Sequence, residues 1–165
     1  SPGDITSGFG RRWGRHHNGI DIDLETGDEV RAAFEGKVRC ALYSPSFGYL
    51  VVIRHYNGLE TFYAHLSSLL VRANDVVNAG TVIGLGGTTG HSTGSHLHFE
   101  VRYKGHPFNP ALLINFDSKT LRTNSFTVDR HFFSSDNPYV IDEGGGNSHV
   151  SSRSTAAKKA KKTSA

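Results

Sequence analysis

The chain has 165 residues, the size of a single domain, and its hydrophobic fraction of 36%, with ten Phe and six Tyr, is sufficient to bury a core. Residues 1–116 carry ten Lys and Arg against ten Asp and Glu, so the net charge of +3 comes entirely from residues 117–165. A neutral folded part argues against nucleic acid as a partner, no window approaches the roughly 20 apolar residues of a membrane span, and a single cysteine excludes an intrachain disulfide framework.

The first 116 residues predict a mainly β fold, with strands separated by glycine-containing turns. The first clear strand is GIDIDL, in which Ile20, Ile22 and Leu24 alternate with Asp21 and Asp23. Further stretches rich in β-branched and aromatic residues are GKVRCAL, YLVVIRHY, ETFYAHL and HLHFEVRY. An Asn-Gly pair in HYNGLETF predicts a β-hairpin. One short helix is the expectation for HLSSLL.

The composition divides the chain into three parts. We expect one domain over residues 1–116, a partly ordered extension over residues 117–143, in which FTVDRHFF could form a peripheral strand, and a disordered basic tail or linker over residues 144–165. The last part is rich in Gly, Ser and Lys, and such a segment cannot bury enough apolar area to offset its ordering entropy. Since the chain starts with Ser1 and contains no Met, we interpret it as a processed or engineered fragment.

The strand HLHFEVRY places two histidines on a face where they have no packing purpose. Side chains alternate along a strand, so His96, His98 and Glu100 share one side, opposite the apolar row of Leu, Phe and Val that faces the core. We expect Glu100 to be a solvated carboxylate, as we expect for Asp23, although either could orient a neighbouring histidine.

Two further spacings indicate a metal site. HHNGID gives His17 and Asp21 as H-x-x-x-D, and YAHL gives His65, which alternation places on the same strand face as Tyr63. Neutral imidazole and carboxylate are ligands of zinc, and a catalytic zinc keeps three protein ligands and one open position. Each spacing is weak or moderate alone, but their combination with H-x-H in one small β domain is hard to explain as separate accidents.

The remaining side chains of interest have simpler interpretations. For His65 by itself, a structural histidine with satisfied hydrogen bonds is as good an interpretation as a functional one. Cys40 lies in an apolar strand and is expected to be a small core residue. Four histidines at turns or strand ends are expected to be solvated surface residues, namely His16, His55, His91 and His106.

These motifs occur in the order, and with similar gaps, of a known family. The stretches HNGIDIDLETGDEVRAAFEGKV, GYLVVIRHYNGLETFYAHLSSL and VVNAGTVIGLGGTTGHSTGSHLHFEVRYKGHPFNP resemble the lysostaphin/LytM-type zinc endopeptidases. The resemblance covers roughly Gly8 to Pro110. It implies a compact antiparallel β-sheet domain whose groove binds peptidoglycan, followed here by the flexible tail.

Residue by residue, the resemblance implies zinc as the cofactor, His17, Asp21 and His98 as its ligands, and His65 and His96 as catalytic histidines. The implied reaction is hydrolysis of peptide cross-links in bacterial peptidoglycan by a zinc-activated water. No H-E-x-x-H motif supplies a glutamate base, so one catalytic histidine is expected to take the proton of the water and the other to donate to the oxyanion or leaving group. The loops FGRRWGRH, YSPSFG and GGTTGHSTG are expected to wall the groove.

The resemblance also implies partners and a compartment. The expected partners are stem or cross-bridge peptides of peptidoglycan, with no nucleic acid, and the expected location is the cell envelope, periplasmic or secreted. We expect a monomer. The alternative function is a non-catalytic peptidoglycan-binding or hydrolase-activating module on the same fold, against which the complete set of five site residues argues. A lipoyl- or biotinyl-type carrier, suggested by VVNAGTVIG, is disfavoured because its modified lysine and flanking Met are not evident.

Overall fold

The structure is a computed structural model that describes residues 3–56, 58–118 and 120–121. Within these residues, strands dominate and the helical element is a 3₁₀ turn at Pro110–Leu112. The strands are β1 (Ile5–Ser7), β2 (Gly10–Arg12), β3 (Arg15–His17), β4 (Ile20–Asp23), β5 (Glu29–Arg31), β6 (Gly36–Ser44), β7 (Gly48–Arg54), β8 (Leu59–Leu66), β9 (Ser68–Leu69), β10 (Val76–Val77), β11 (Val82–Leu85), β12 (His96–Tyr103), β13 (His106–Phe108), β14 (Ile114–Asn115) and β15 (Thr120–Leu121). The mainly β fold is confirmed.

A large antiparallel sheet organises the domain. Its strand order is β1-β4-β12-β8-β7-β6-β10, and β13 pairs with β12 off this path. A smaller sheet has the order β5-β11-β9, and β2/β3 and β14/β15 form separate hairpins. Strands β7 and β8 follow one another in the chain and pair antiparallel, which confirms the predicted hairpin, although Asn57 itself lies outside the described residues.

The two faces of the large sheet carry separate apolar clusters. One face packs against the smaller sheet, so that Tyr63 and Phe99 share a core with Val30 and Ile83 and all four are at most 3% exposed. Burial of this apolar surface is the main stabilising contribution to the fold. We call the opposite side the open face, and its apolar cluster consists of Leu50, Val52, Phe62 and Ala64.

The segment HLSSLL does not form the helix expected from the sequence. It contains the end of β8 and the whole of β9, whose Leu69 pairs with Gly84 of β11. A helix of six residues is marginal by itself, whereas neighbouring strands offer this segment backbone hydrogen bonds and an apolar face. Tertiary pairing therefore overrides the local pattern.

The fold continues beyond residue 116. Strands β14 and β15 pair with each other, and Leu121 packs against the main core. The stretch FTVDRHFF and the tail of residues 144–165 lie outside the described residues. In the part of the chain that the structure describes, no helix is long and apolar enough to cross a membrane.

Candidate metal centre

The centre lies where β4 and β12 run side by side. In the antiparallel register, His98 of β12 is paired with Asp21 of β4 on one side and with Ala64 of β8 on the other. Residues paired in a ladder project to the same face, so both site residues lie on the open face. His17 joins them from the end of β3. The structure thus brings together the three ligands that the resemblance implies.

Three potential ligand atoms face one another at the spacing that a small cation requires. His17 Nε2 lies 3.3 Å from His98 Nδ1 and 3.4 Å from Asp21 Oδ1, and His98 Nδ1 lies 3.0 Å from Asp21 Oδ1. A tetrahedral zinc ion with bonds of about 2.0–2.1 Å has ligand atoms about 3.3 Å apart. The three atoms therefore form a triangle with the dimensions of one face of such a tetrahedron.

Hydrogen bonds on the far side of each ring determine which nitrogen carries a hydrogen. His17 Nδ1 donates to the carbonyl oxygen of Gly8 at 2.7 Å, because a carbonyl can only accept. His98 Nε2 donates to Glu100 at 2.9 Å. In the neutral rings, the lone pairs are therefore on His17 Nε2 and His98 Nδ1, beside the carboxylate of Asp21. Three lone-pair atoms in contact repel one another unless a cation or a proton lies between them, so this donor set fits a metal ion.

Glu100 is buried, and the expectation that it is solvated is wrong. It is 1% exposed, accepts from His98 through Oε1, and accepts from Arg102 through Oε2, at 2.6 Å from Nε and 2.5 Å from Nη2. The Arg102 guanidinium lies 4.1 Å from the centroid of the Phe62 ring. The Arg102 guanidinium and the Phe62 ring together cover the carboxylate. The hydrogen bonds to Glu100 offset the free-energy cost of burying its charge away from water.

The carboxylates shift the pKa values of the centre. Burial by itself lowers the pKa of His98, but hydrogen bonds to Asp21 and Glu100 outweigh burial and raise this pKa to about 9. Burial by itself raises the pKa of Asp21, but hydrogen bonds with His17 and His98 hold it well below the usual range of a carboxyl group. At neutral pH, a metal ion that binds here must therefore displace a proton.

His96 stands beside the three potential ligands. Its Nδ1 donates to the carbonyl oxygen of Gly94 at 2.8 Å and lies 3.3 Å from the Ser92 hydroxyl. The lone pair of the neutral ring is therefore on Nε2, which lies 3.6 Å from Asp21 Oδ1. The His96 side chain is 19% exposed, against 10% for His98. Of the two histidines in HLH, His96 is thus the more accessible to a substrate.

His65 reaches the same face through a β-bulge. One residue of β7, Leu50, faces two residues of β8, Ala64 and His65. His65 has a left-handed φ of 62°. The extra residue reverses the strand alternation, so the ring leaves the core face on which Tyr63 is buried. The expectation that His65 shares a face with Tyr63 is therefore wrong.

The bulge brings the His65 ring to the metal centre. Its ring centroid lies 5.0 Å from that of His96 and 5.9 Å from that of His98. The structure therefore gathers on one face all five residues named by the resemblance. Sequence alternation alone would have left His65 in the core.

Thr89 fixes the orientation of His65. Its carbonyl oxygen accepts from His65 Nδ1 at 2.6 Å. Its hydroxyl donates to the carbonyl oxygen of Leu66 at 2.5 Å and accepts from the backbone nitrogen of Tyr49 at 3.0 Å. Burial lowers the pKa of His65, so the ring is neutral at pH 7 with its lone pair on Nε2. Thr89 was missed by sequence analysis except as part of the loop GGTTGHSTG.

Among the histidines expected to be solvated, His55 is an exception. Its Nδ1 donates to the carbonyl oxygen of Glu35 at 2.7 Å, and its Nε2 lies 2.7 Å from the buried Thr61 hydroxyl. Burial lowers the pKa of His55 to about 4. Cys40 is half-buried against the cluster of the open face, and burial raises the pKa of its thiol. The histidines that are exposed as expected are His16, His91 and His106.

An antiparallel β domain with a centre of two histidines and one aspartate, and two further histidines beside it, has the composition of a metallopeptidase site. Residues 15–110 match the sequence profile of Peptidase family M23. The chain belongs to this family.

Curated relatives share this domain as part of longer proteins. The chain is 45% identical over 113 residues to the DD-carboxypeptidase/endopeptidase Mpg of Neisseria meningitidis serogroup B, an alignment that covers 64% of this chain and 26% of the relative. It is 42% identical over 93 residues to the peptidoglycan DD-endopeptidase ShyA of Vibrio cholerae, with 56% and 22% covered. The chain thus spans about a quarter of the length of these relatives.

Solved structures show the same fold. A zinc-containing peptidase from Vibrio cholerae superposes with a TM-score of 0.61 at 39% identity, covering 64% of this chain and 35% of that one. The catalytic domain of lysostaphin from Staphylococcus simulans superposes with a TM-score of 0.62 at 31% identity, covering 65% and 88%. The second alignment therefore covers almost the whole of the lysostaphin catalytic domain.

Proposed function

We propose that this chain is a zinc endopeptidase domain that hydrolyses peptide cross-links of bacterial peptidoglycan at the cell envelope. The observation that carries the proposal is the convergence of three lone-pair atoms, from His17, Asp21 and His98, at 3.0–3.4 Å. Membership of a peptidase family supports the reaction class, and a relative named as a peptidoglycan DD-endopeptidase supports the substrate and the location. One zinc per chain and a monomer are the corresponding predictions.

Zinc, when held by His17, Asp21 and His98, supplies a Lewis acid that polarises the scissile carbonyl and makes a water molecule more acidic. Two neutral imidazoles and one carboxylate offset only one of the two charges of the cation, so positive charge remains where the oxyanion develops. The Gly8 carbonyl and Glu100 hold the two histidines in the tautomers that this role requires.

We propose that His65 and His96 carry out the proton transfers of the reaction. Amide hydrolysis requires removal of a proton from the attacking water and delivery of a proton to the leaving amine. His65 suits the first role because burial keeps it neutral and its bond to Thr89 leaves the lone pair on Nε2. His96 suits the second role because it is the more exposed ring and lies beside Asp21.

Digestion of purified cell walls tests the proposal. Walls with direct cross-links and walls with glycine bridges would be incubated with the zinc-loaded protein, and the products analysed by mass spectrometry. We expect new amine and carboxyl termini at the cross-link of one wall type, loss of cleavage with a chelator, and recovery on addition of zinc. If the protein binds walls and cuts neither type, the non-catalytic binding or activating function replaces the enzymatic one.

A further inference from the structure

A fully exposed tryptophan lies at the tip of a hairpin next to the metal centre. The stretch FGRRWGRH, expected to be a loop, contains β2 and the first two residues of its partner strand β3, and Arg12 is opposite Arg15. The turn between them consists of Trp13 and Gly14, with φ of 41° and 80°. A two-residue turn with two positive φ angles is of the type I′ class. The Trp13 side chain is 100% exposed.

Tryptophan is an unfavourable residue for this position. Type I′ turns prefer Asn, Asp or Gly, because a bulky side chain is strained at a left-handed φ. Burial of the indole could offset this strain, but Trp13 is not buried. A residue that breaks a local rule without a gain in packing is expected at a functional position.

The hairpin is basic and is attached to the metal centre. The stretch GRRWGRHH contains three Arg and no Asp or Glu. The exposed Arg15 lies on the same face of β3 as His17, because side chains alternate along a strand. At the base of the hairpin, Gly10 pairs with His17, and the His17 ring is bonded to the carbonyl oxygen of Gly8. Trp13 is four residues from His17, about 13 Å along an extended chain. Because this is the greatest separation that the chain allows, the tip of the hairpin can contact a part of the polymer next to the peptide at the centre.

We infer that Trp13, together with Arg15, binds the glycan strand of the polymer whose peptide occupies the metal centre. This inference rests on the proposed function. The faces of pyranose rings carry C–H groups that pack on an indole, and a guanidinium group can donate hydrogen bonds to the hydroxyl and amide oxygens of amino sugars. A simple polyanion would need the arginine but not the indole, so an exposed aromatic ring beside a guanidinium group fits the glycan better.

Fluorescence tests the inference directly, because Trp13 is the only tryptophan in the sequence. The zinc-loaded protein would be titrated with peptide-free glycan oligomers whose lactyl carboxyl groups are amidated, as they are in the polymer, and which offer a peptidase no cross-link to cut. We expect a saturable blue shift of the emission as the indole leaves water, and no shift with polyglutamate. An unchanged emission at saturating glycan, or an equal shift with polyglutamate, would overturn the inference.

Substitution of Trp13 separates binding from folding. In Trp13→Asn the turn receives a favoured residue, so we expect the Tm to rise by about 2–4 °C. The Kd for the glycan oligomers, measured by calorimetry, should increase about tenfold. Trp13→Phe keeps an aromatic ring and should bind within about threefold of the wild type. A Trp13→Asn protein that is more stable and binds glycan as tightly as the wild type would contradict the inference.

Two controls complete the design. Val76 is 81% exposed on β10, at the opposite edge of the large sheet, and Val76→Ala should leave the glycan Kd unchanged. Cleavage of a sugar-free cross-linked peptide by the wild type tests the proposed function separately. Absent cleavage with intact glycan binding refutes the peptidase and retains the glycan site, whereas cleavage without glycan binding refutes the glycan site alone.

Discussion

Replacing Glu100 by Gln removes a charge from a side chain that is 1% exposed while keeping its size. In the wild type the carboxylate can only accept, so in the neutral ring His98 Nε2 carries the hydrogen and Nδ1 presents its lone pair beside Asp21. A Gln amide can also donate. If the amide turns its NH₂ group toward the ring, the tautomer of His98 reverses and a hydrogen occupies the ligand position.

The expected effect of Glu100→Gln is a 10- to 100-fold loss of zinc affinity, about 1.4–2.8 kcal/mol. The smaller loss applies if the Gln oxygen still accepts from His98, and the larger loss applies if the amide donates. Arg102 also loses an ionised partner, so we expect the free energy of unfolding to fall by about 1–3 kcal/mol. This loss should leave most molecules folded at 25 °C.

Zinc affinity would be measured at pH 7.5 by competition with a chromophoric chelator, with circular dichroism as the check on folding. Glu60→Gln is the matched control, because Glu60 is a carboxylate of 14% exposure that pairs with Arg39 and Arg54. Its zinc Kd should stay within about twofold of the wild type, as expected for an independent site. A folded Glu100→Gln protein with wild-type zinc affinity would refute the role of Glu100.

Three further perturbations address the metal ligands, the loop that orients His65, and the buried His55. Alanine at His17 should reduce zinc after dialysis from one equivalent to below about 0.1, and retention of a full equivalent would remove it from the ligand set. Thr89→Val should lower the free energy of unfolding by about 1–3 kcal/mol and slow cleavage. Thr89→Ser keeps the hydroxyl and should behave as the wild type. Equal stability and equal cleavage rates of the two variants would contradict the role of the hydroxyl. His55 has a pKa of about 4 in the fold and near 6.5 when unfolded, so its stabilising contribution is complete above pH 6.5 and is lost as the pH falls toward 4. Urea unfolding of the metal-free proteins would give the free energy of unfolding of the wild type and of His55→Gln at each pH. We expect the difference between the two to shrink by up to about 3 kcal/mol from pH 7 to pH 4. A difference that does not change with pH would contradict this role of His55.

The positions of the proposed ligands could be predicted because they lie on regular strands. Alternation in HLHFEVRY gives the correct face for His98 and His96, and pairing with β4 brings Asp21 to the same face. The carboxylate and guanidinium of Glu100 and Arg102 follow on that face at the same interval of two residues. This row of polar side chains on one strand was a usable signal that Glu100 belongs to the site.

The misplaced residues depend on contacts between distant parts of the chain. A bulge opposite β7 reverses the alternation at His65, and nothing in YAHL indicates an extra residue in the ladder. Burial of Glu100 depends on Arg102 lying over Phe62 of the neighbouring strand. His55 is covered because the Glu35 carbonyl and the Thr61 hydroxyl meet its two nitrogens. Local sequence patterns do not indicate that a side chain will be buried by residues from distant parts of the chain.

The most direct test of the proposed site is to measure zinc content and cleavage rate together for His96→Ala and His98→Ala. It asks whether His96 transfers protons while His98, two positions along the same strand, binds the metal. The substrate would be a purified cross-linked peptide dimer of the wall type that the wild type cuts. We predict that His96→Ala keeps one zinc and cleaves at least about 100-fold more slowly than the wild type, and that His98→Ala loses both zinc and cleavage. A His96→Ala protein that cleaves at the wild-type rate, or that loses zinc as His98→Ala does, would contradict this division.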